Sequence, residues 1–182
     1  SDLAVLCHPH PQYGGTMHDA VLDCAARALG AAGIARLRFN FRGVGRSEGR
    51  FDEGVGEVDD VLAILTHGRK THPEARVLLV GYSFGAAMAL SAASRAPGLS
   101  GLLLIAPPAG HMTLADAEPN CPVHIIAGRE DAFAPLTALE TLTAALATAA
   151  SPVILNDADH FFIGAQPALE KAVAQVIPTL LP

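Results

Sequence analysis

Six short apolar runs, at 3–7, 34–39, 76–81, 101–105, 122–127 and 152–155, read as strands, and Ala- and Leu-rich stretches at 17–32, 54–70, 84–96, 136–149 and 165–180 read as helices. No other feature of the sequence constrains the fold as strongly. The runs do not alternate apolar with polar residues, which is the pattern of strands buried on both faces. Regular alternation of strand and helix demands crossover connections, and right-handed crossovers lay helices on both faces of a largely parallel sheet. The expected class is therefore α/β, with about six strands. A length of 182 residues with 51% apolar content suffices for one such core, and a single domain over 1–182 is expected. No internal repeat, low-complexity linker or shift in composition divides the chain.

In sheets of this kind ligands bind beyond the carboxyl ends of the strands, so the strand-to-helix corners are where chemistry is expected. Pro and Gly mark these corners at His8-Pro9-His10-Pro11, Gly43-Val44-Gly45, Ala106-Pro107-Pro108 and from Gly128 to Pro135. The sharpest signal is Gly81-Tyr82-Ser83-Phe84-Gly85, directly after the strand Arg76-Val77-Leu78-Leu79-Val80 and directly before the helical run Ala86-Ala87-Met88-Ala89-Leu90. In that context a G-x-S-x-G turn strains the backbone at the serine and exposes its hydroxyl at a helix N-terminus. Glycine on either side removes Cβ atoms that would clash where strand meets helix. The Phe84 backbone N–H is then placed to face a developing oxyanion, and the helix dipole favours negative charge there. The alternative for Ser83 is a helix N-cap between turn glycines.

A serine hydroxyl is a weak nucleophile at neutral pH, so the reading demands a base and an orienting carboxylate. Gly128-Arg129-Glu130-Asp131-Ala132-Phe133-Ala134-Pro135 follows the strand Val123-His124-Ile125-Ile126-Ala127, and Asn156-Asp157-Ala158-Asp159-His160-Phe161-Phe162 follows Val153-Ile154-Leu155. Asp131 is the candidate acid, with Glu130 a neighbouring rival and a turn or cap aspartate the alternative. His160, the only histidine beyond position 124, is the candidate base. Each lies just past a strand's carboxyl end, where separate loops converge.

These residues carry a resemblance, over nearly the whole chain, to the α/β-hydrolase superfamily. The G-x-S-x-G, the spacing Gly128-x-x-Asp131-x-x-x-Pro135 and Asp159-His160 with its following aromatics are similar to that family's nucleophile, acid and base positions, in the family's order. Phe39-Asn40-Phe41-Arg42-Gly43-Val44-Gly45-Arg46-Ser47 resembles the family's Arg-Gly-x-Gly-x-Ser loop. His8-Pro9-His10-Pro11-Gln12-Tyr13-Gly14-Gly15-Thr16-Met17 and Ala106-Pro107-Pro108 are similar to a bacterial subgroup of small, capless hydrolases.

The resemblance implies a serine hydrolase, expected to be a carboxylesterase on small or short-acyl esters working through an acyl-enzyme. A thioesterase or peptidase-like hydrolase, or a low-turnover ligand-binding or sensor protein on the same fold, are the other readings. Matching to the family's His-Gly-x position implies that His10 gives the second oxyanion-hole N–H, with Tyr13 and Gly14 as rivals. Only Pro107 to Pro122 separates the strands 101–105 and 122–127, too little for a cap, and an open site is expected. Its walls would come from some of Tyr13, His111, Met112, Leu114, Phe133, Phe161 and Phe162, the rest packing in the core. Relatives of this kind open with an antiparallel strand pair ahead of the strand ending at His8. Here nothing occupies that place, so either the sheet edge differs or those strands were lost.

Charge and cysteine content narrow the partners. A formal charge of −6 without any Lys/Arg run leaves no surface for nucleic acid or acidic membranes, and a small-molecule substrate is expected instead. Cys7, Cys24 and Cys121 form neither an even framework nor a C-x-x-C pair, consistent with reduced, buried thiols in the cytoplasm. No run reaches the roughly 18 apolar residues of a membrane span, and Ser1-Asp2-Leu3 opens no signal pattern. The chain has no initiator methionine, so a removed leading segment would go unseen. No cofactor is expected. Three histidines, His8, His10 and His18, would have to converge to hold a metal. The run Gly43-Val44-Gly45-Arg46-Ser47-Glu48-Gly49 lacks the spacing and following helix of a dinucleotide fingerprint.

Overall fold

The computed structural model describes residues 2–181. Strand β1 (Asp2–Cys7) leads through a short 3₁₀ turn (Pro11–Tyr13) to α1 (Ala20–Ala31) and β2 (Ala35–Arg38). There follow α2 (Val55–Thr71), β3 (Arg76–Tyr82), α3 (Phe84–Ala93), β4 (Gly101–Ile105), β5 (Val123–Gly128), α4 (Leu136–Ala145), β6 (Val153–Leu155) and α5 (Gln166–Leu180). The six strands form one sheet in the order β2-β1-β3-β4-β5-β6, and each neighbouring pair is parallel. This is the α/β-hydrolase fold with helices on both faces.

Successive side chains of a strand point to opposite faces, and here they feed two separate cores. Val5, Cys7, Val77 and Leu79 pack with residues of α2, α3 and α4 on one face. Ala4, Leu6, Leu78, Val80 and Tyr82 pack with α1 and α5 on the other. Double-sided burial explains the near-continuous apolar runs of β1, β3 and β4. It does not extend to the sheet edges: β2 keeps Ala35 and Arg36 exposed, and β6 is only half-buried. The reading of all six strands as covered on both faces is corrected there.

Three helices are shorter than their composition predicts. α1 begins at Ala20 rather than 17, because Asp19 Oδ1 accepts the Val21 and Leu22 N–H groups (2.8 and 3.3 Å) while Met17 N–H donates to Asn40 Oδ1 (2.9 Å). α3 stops at Ala93 and α4 at Ala145, where Leu146 turns extended. Among the described residues no helix is long and apolar enough to cross a membrane.

The chain leaves β1 for α1 on one face and β3 for α3 on the other, so the strand order reverses between these neighbours. The register Cys7↔Gly81 sets the His8–Gly15 loop beside the turn at Ser83. A crevice at such a switch point is where open α/β sheets bind ligands.

Candidate active site

Ser83 joins β3 to α3 with φ 54° and ψ −120°, a backbone conformation that side-chain-bearing residues seldom adopt. Such strain costs about 1–3 kcal/mol and persists only when the surroundings enforce it. Here the enforcement is steric. A Cβ on Gly85 would lie 2.2 Å from the Cys7 carbonyl oxygen, and one on Gly81 would lie 2.3 Å from that of Gly85. With glycine at both places, α3 presses directly against the end of β1, and the half-exposed serine hydroxyl stands over the sheet edge.

The loops after β5 and β6 bring two further side chains to it. Ser83 Oγ lies 2.9 Å from His160 Nε2, and His160 Nδ1 lies 2.7 Å from Asp131 Oδ2. A carboxylate accepts only, so the imidazole proton resides on Nδ1 and the Nε2 lone pair faces the serine hydroxyl. Asp131 and His160 are both buried, at 3% and 6% exposure. The other Asp131 oxygen, Oδ1, accepts the N–H groups of Phe133 (2.8 Å) and Ala134 (3.0 Å). Glu130, the rival acid, is exposed and makes no side-chain hydrogen bond among the described residues.

Phe84 opens α3, so its N–H has no acceptor within the helix. In the loop after β1, Tyr13 N–H and Gly15 N–H both donate to the His10 carbonyl (3.1 and 3.0 Å). That bond removes Tyr13 from the oxyanion-donor candidates. The His10 N–H has no acceptor among the described residues. His8 anchors the start of this loop: its Nδ1–H donates to the Pro9 carbonyl (2.7 Å) while Nε2 accepts the Phe41 N–H (3.0 Å). Burial pushes its pKa below the usual histidine value. Both ring nitrogens are thus committed within the protein, which leaves His8 no lone pair for a metal and contradicts a His8, His10, His18 site. Among the described residues no group of three ligating side chains converges.

A cleft of about 840 Å³ opens over Ser83 and His160, and Tyr13, His111, Met112, Phe133 and Phe161 all line it. Leu114 and Phe162, named among the possible walls, are buried in the two cores instead. Sequence reasoning missed Phe51, Glu53, Asp19 and Tyr82 as lining residues. Phe51 and Glu53 arrive because Glu57, fully buried, accepts the N–H groups of Asp52 and Gly54 (2.8 Å each) and so pins the segment between them. Arg42 ties down the same loop from its other end through Nε and Nη2 to Asp60 (3.1 and 2.8 Å). The glycine run between them forms tight turns, with Gly43, Gly45 and Gly49 at positive φ, and the next helix, α2, opens only at Val55 rather than directly from the run as a nucleotide site would need.

Tyr82 carried a signal that went unused. A tyrosine within an otherwise aliphatic buried strand must find a partner for its hydroxyl. It donates to the His160 carbonyl (3.1 Å), and burial pushes its pKa up, keeping the donor proton in place. Tyr82→Phe orphans that carbonyl and is expected to destabilise the fold by about 1–3 kcal/mol in urea unfolding. The three thiols lie outside this chemistry. All are buried and unpaired, and burial pushes Cys7 and Cys24 up and Cys121 up to about 11.

Comparison with known proteins supplies the family. The family model described as "Serine aminopeptidase, S33" matches residues 4–127. An uncharacterized protein of Rickettsia prowazekii (strain Madrid E) is 35% identical over 98% of this chain and 79% of its own length. Among solved structures, a lidless α/β serine hydrolase from Xanthomonas campestris superposes with a TM-score of 0.90 at 37% identity, over 99% of this chain and 82% of its own. An α/β serine hydrolase homologue from Coxiella burnetii gives 0.91 at 33%, over 97% and 85%.

Proposed function

Because the chain belongs to the α/β serine hydrolases that lack a lid, we propose that it hydrolyses small, short-acyl carboxylic esters, with Ser83 as nucleophile, His160 as general base and Asp131 as the orienting acid. The observation that carries this reading is the unbroken line of contacts from Ser83 Oγ, in the cleft, through His160 to the buried Asp131.

The chemistry follows from these positions. Ser83 Oγ attacks the ester carbonyl carbon as His160 Nε2 takes the hydroxyl proton, and the carbonyl π pair moves onto oxygen. The Phe84 and His10 N–H groups face that oxyanion, each such donor stabilising the transition state by about 3–4 kcal/mol. Asp131 meanwhile holds the ring and stabilises the imidazolium. Collapse breaks the bond to the alcohol oxygen, which receives the proton from Nε2, and the acyl group stays on Ser83. Water then attacks the acyl carbon and gives a proton to His160, and Ser83 Oγ departs and recovers it. The products are one acid and one alcohol.

Short acyl groups are favoured because the walls end early. The 107–122 connection contains turns and no helix, and the rim side chains Phe133 and Phe161 are themselves 42% and 55% exposed. Each added methylene gains at most about 0.8 kcal/mol, and only if buried. Among p-nitrophenyl acetate, butyrate, octanoate and palmitate, kcat/KM is expected to fall beyond about six to eight carbons, below any micelle threshold. An optimum at octanoate or palmitate would reject the open site.

A second reading has its own observation. Two carboxylates, Asp19 and Glu53, line the same cleft, and an aminopeptidase, as the family's description names, needs negative charge for a free α-amino group. Turnover of alanine p-nitroanilide exceeding that of p-nitrophenyl acetate would select it.

A further inference from the structure

The chain contains seven Phe, two Tyr and no Trp, and most of them surround one cavity. Tyr13, Phe51, Tyr82, Phe84, Phe133 and Phe161 line the cleft, while Phe39, Phe41 and Phe162 are buried in the core. The exposed aromatic rings are Tyr13, Phe133 and Phe161, and all three stand on that cleft. Exposed apolar rings gathered at one concave place mark a binding surface rather than leftover core.

The rings form two banks, one around His10 and one around His160. On the oxyanion side, His10 packs against Tyr13, Phe51 and Phe84 with centroids 4.6, 5.0 and 4.8 Å away. On the other side, Phe133 and Phe161 pack on the His160 ring itself, at 4.6 and 5.3 Å. Each of these two is held through its own backbone. Phe133 N–H donates to Asp131 Oδ1 (2.8 Å) and Phe161 N–H to Asp159 Oδ1 (3.0 Å). The backbone at both positions is thus fixed and each ring rests on the buried His160, which lowers the entropic cost of using them.

Chemistry assigns a role to the second bank. In acylation the proton on His160 Nε2 passes to the departing oxygen, so that oxygen lies within hydrogen-bond reach of Nε2. Its substituent must then extend among the side chains packed around His160. We propose that Phe133 and Phe161 form a leaving-group subsite selective for alcohols that carry a flat aryl group. The proposal rests on Ser83 and His160 acting as described above. Phe133 and Phe161 meet edge to face at 6.4 Å and 78°, and a third ring laid on their exposed surfaces extends the same packing at the usual 4.5–7 Å. A saturated group of equal size gains the buried area and loses the ring-ring interaction.

Benzyl acetate and cyclohexylmethyl acetate test this directly, because both give the same acetyl-enzyme and differ only in the leaving group. The saturated group is the more apolar, so area alone favours it. With each kcat/KM divided by that ester's hydroxide rate constant, wild type is expected to prefer the benzyl ester about five-fold. That equals about 1 kcal/mol at ~1.4 kcal/mol per decade. In Phe133→Leu and Phe161→Leu, which keep the wall apolar, the ratio is expected to fall towards one. A ratio does not depend on how much of a variant is folded. Wild type supplies a second measure, since the alcohol that leaves is the alcohol that can return. Benzyl alcohol is expected to divert the acetyl-enzyme from water more effectively than cyclohexylmethanol when p-nitrophenyl acetate is the donor. A wild-type ratio at or below one, or a ratio unmoved in both variants, overturns the subsite while fluorophosphonate labelling of Ser83 stands. Absence of that label overturns the nucleophile, and the subsite with it.

Discussion

Ser83→Ala is expected to abolish covalent labelling by a fluorophosphonate and to lower kcat on p-nitrophenyl acetate by about 10⁵- to 10⁶-fold, the scale at which a serine nucleophile's removal is felt. Alanine keeps the backbone, the cleft and the Phe84 and His10 N–H groups proposed to face the oxyanion, so the residual rate reports what binding and electrostatics achieve alone. The hydroxyl's hydrogen bond is to His160, and the side chain is only half-buried, so stability should move by no more than about 1 kcal/mol. The strain at φ 54° is shared by serine and alanine and cancels. An alanine variant retaining more than about a tenth of wild-type activity would show that another group attacks the ester. Wild-type protein that is stabilised by esters without releasing product would instead select the low-turnover binding reading.

Why the fold was legible and parts of the cleft were not comes down to the range of the forces involved. β1, β3 and β4 are covered by helices on both faces, and that burial writes itself as near-continuous apolar runs dominated by Leu and Val. β2 is an edge strand, and Arg36 and Arg38 within it reflect one-sided covering that an apolar count over 34–39 averages away. The convergence of Ser83, Asp131 and His160 was legible because each sits in a local turn signal just beyond a strand, and the parallel sheet brings those strand ends together. Phe51 and Glu53 had no such signal. They reach the cleft through a buried glutamate, Glu57, that looks in sequence like an ordinary polar residue in the first turn of a helix. Leu114 and Phe162 were open between wall and core, since position near the site does not tell the two apart, and packing turned both side chains into the core. For Phe162 the backbone shows why, since its φ of 52° reverses the chain between the exposed Phe161 and Ile163.

Asp131→Asn is expected to lower kcat by about 10⁴-fold, and the structure gives a specific reason why the near-isosteric amide fails. Asp131 Oδ1 accepts two backbone N–H groups, from Phe133 and Ala134. An amide nitrogen cannot accept them, so the asparagine oxygen must occupy that place and its NH₂ must take the position of Oδ2. The NH₂ then points at His160 Nδ1, 2.7 Å away in wild type. Two donors cannot face each other there, so the imidazole moves its proton to Nε2. That proton now confronts the Ser83 hydroxyl, and the lone pair that should receive the serine proton is gone. The other tautomer is reachable only by breaking both backbone bonds, each worth about 1 kcal/mol and more when a buried partner is left unpaired. Glu130→Gln changes an exposed side chain with no such bonds and should stay within about two-fold of wild type. Steady-state kinetics on p-nitrophenyl acetate, with labelling stoichiometry to count intact sites, separates the two. Equal losses, or a larger loss at Glu130, would move the acid by one residue and require the loop after β5 to present Glu130 to His160.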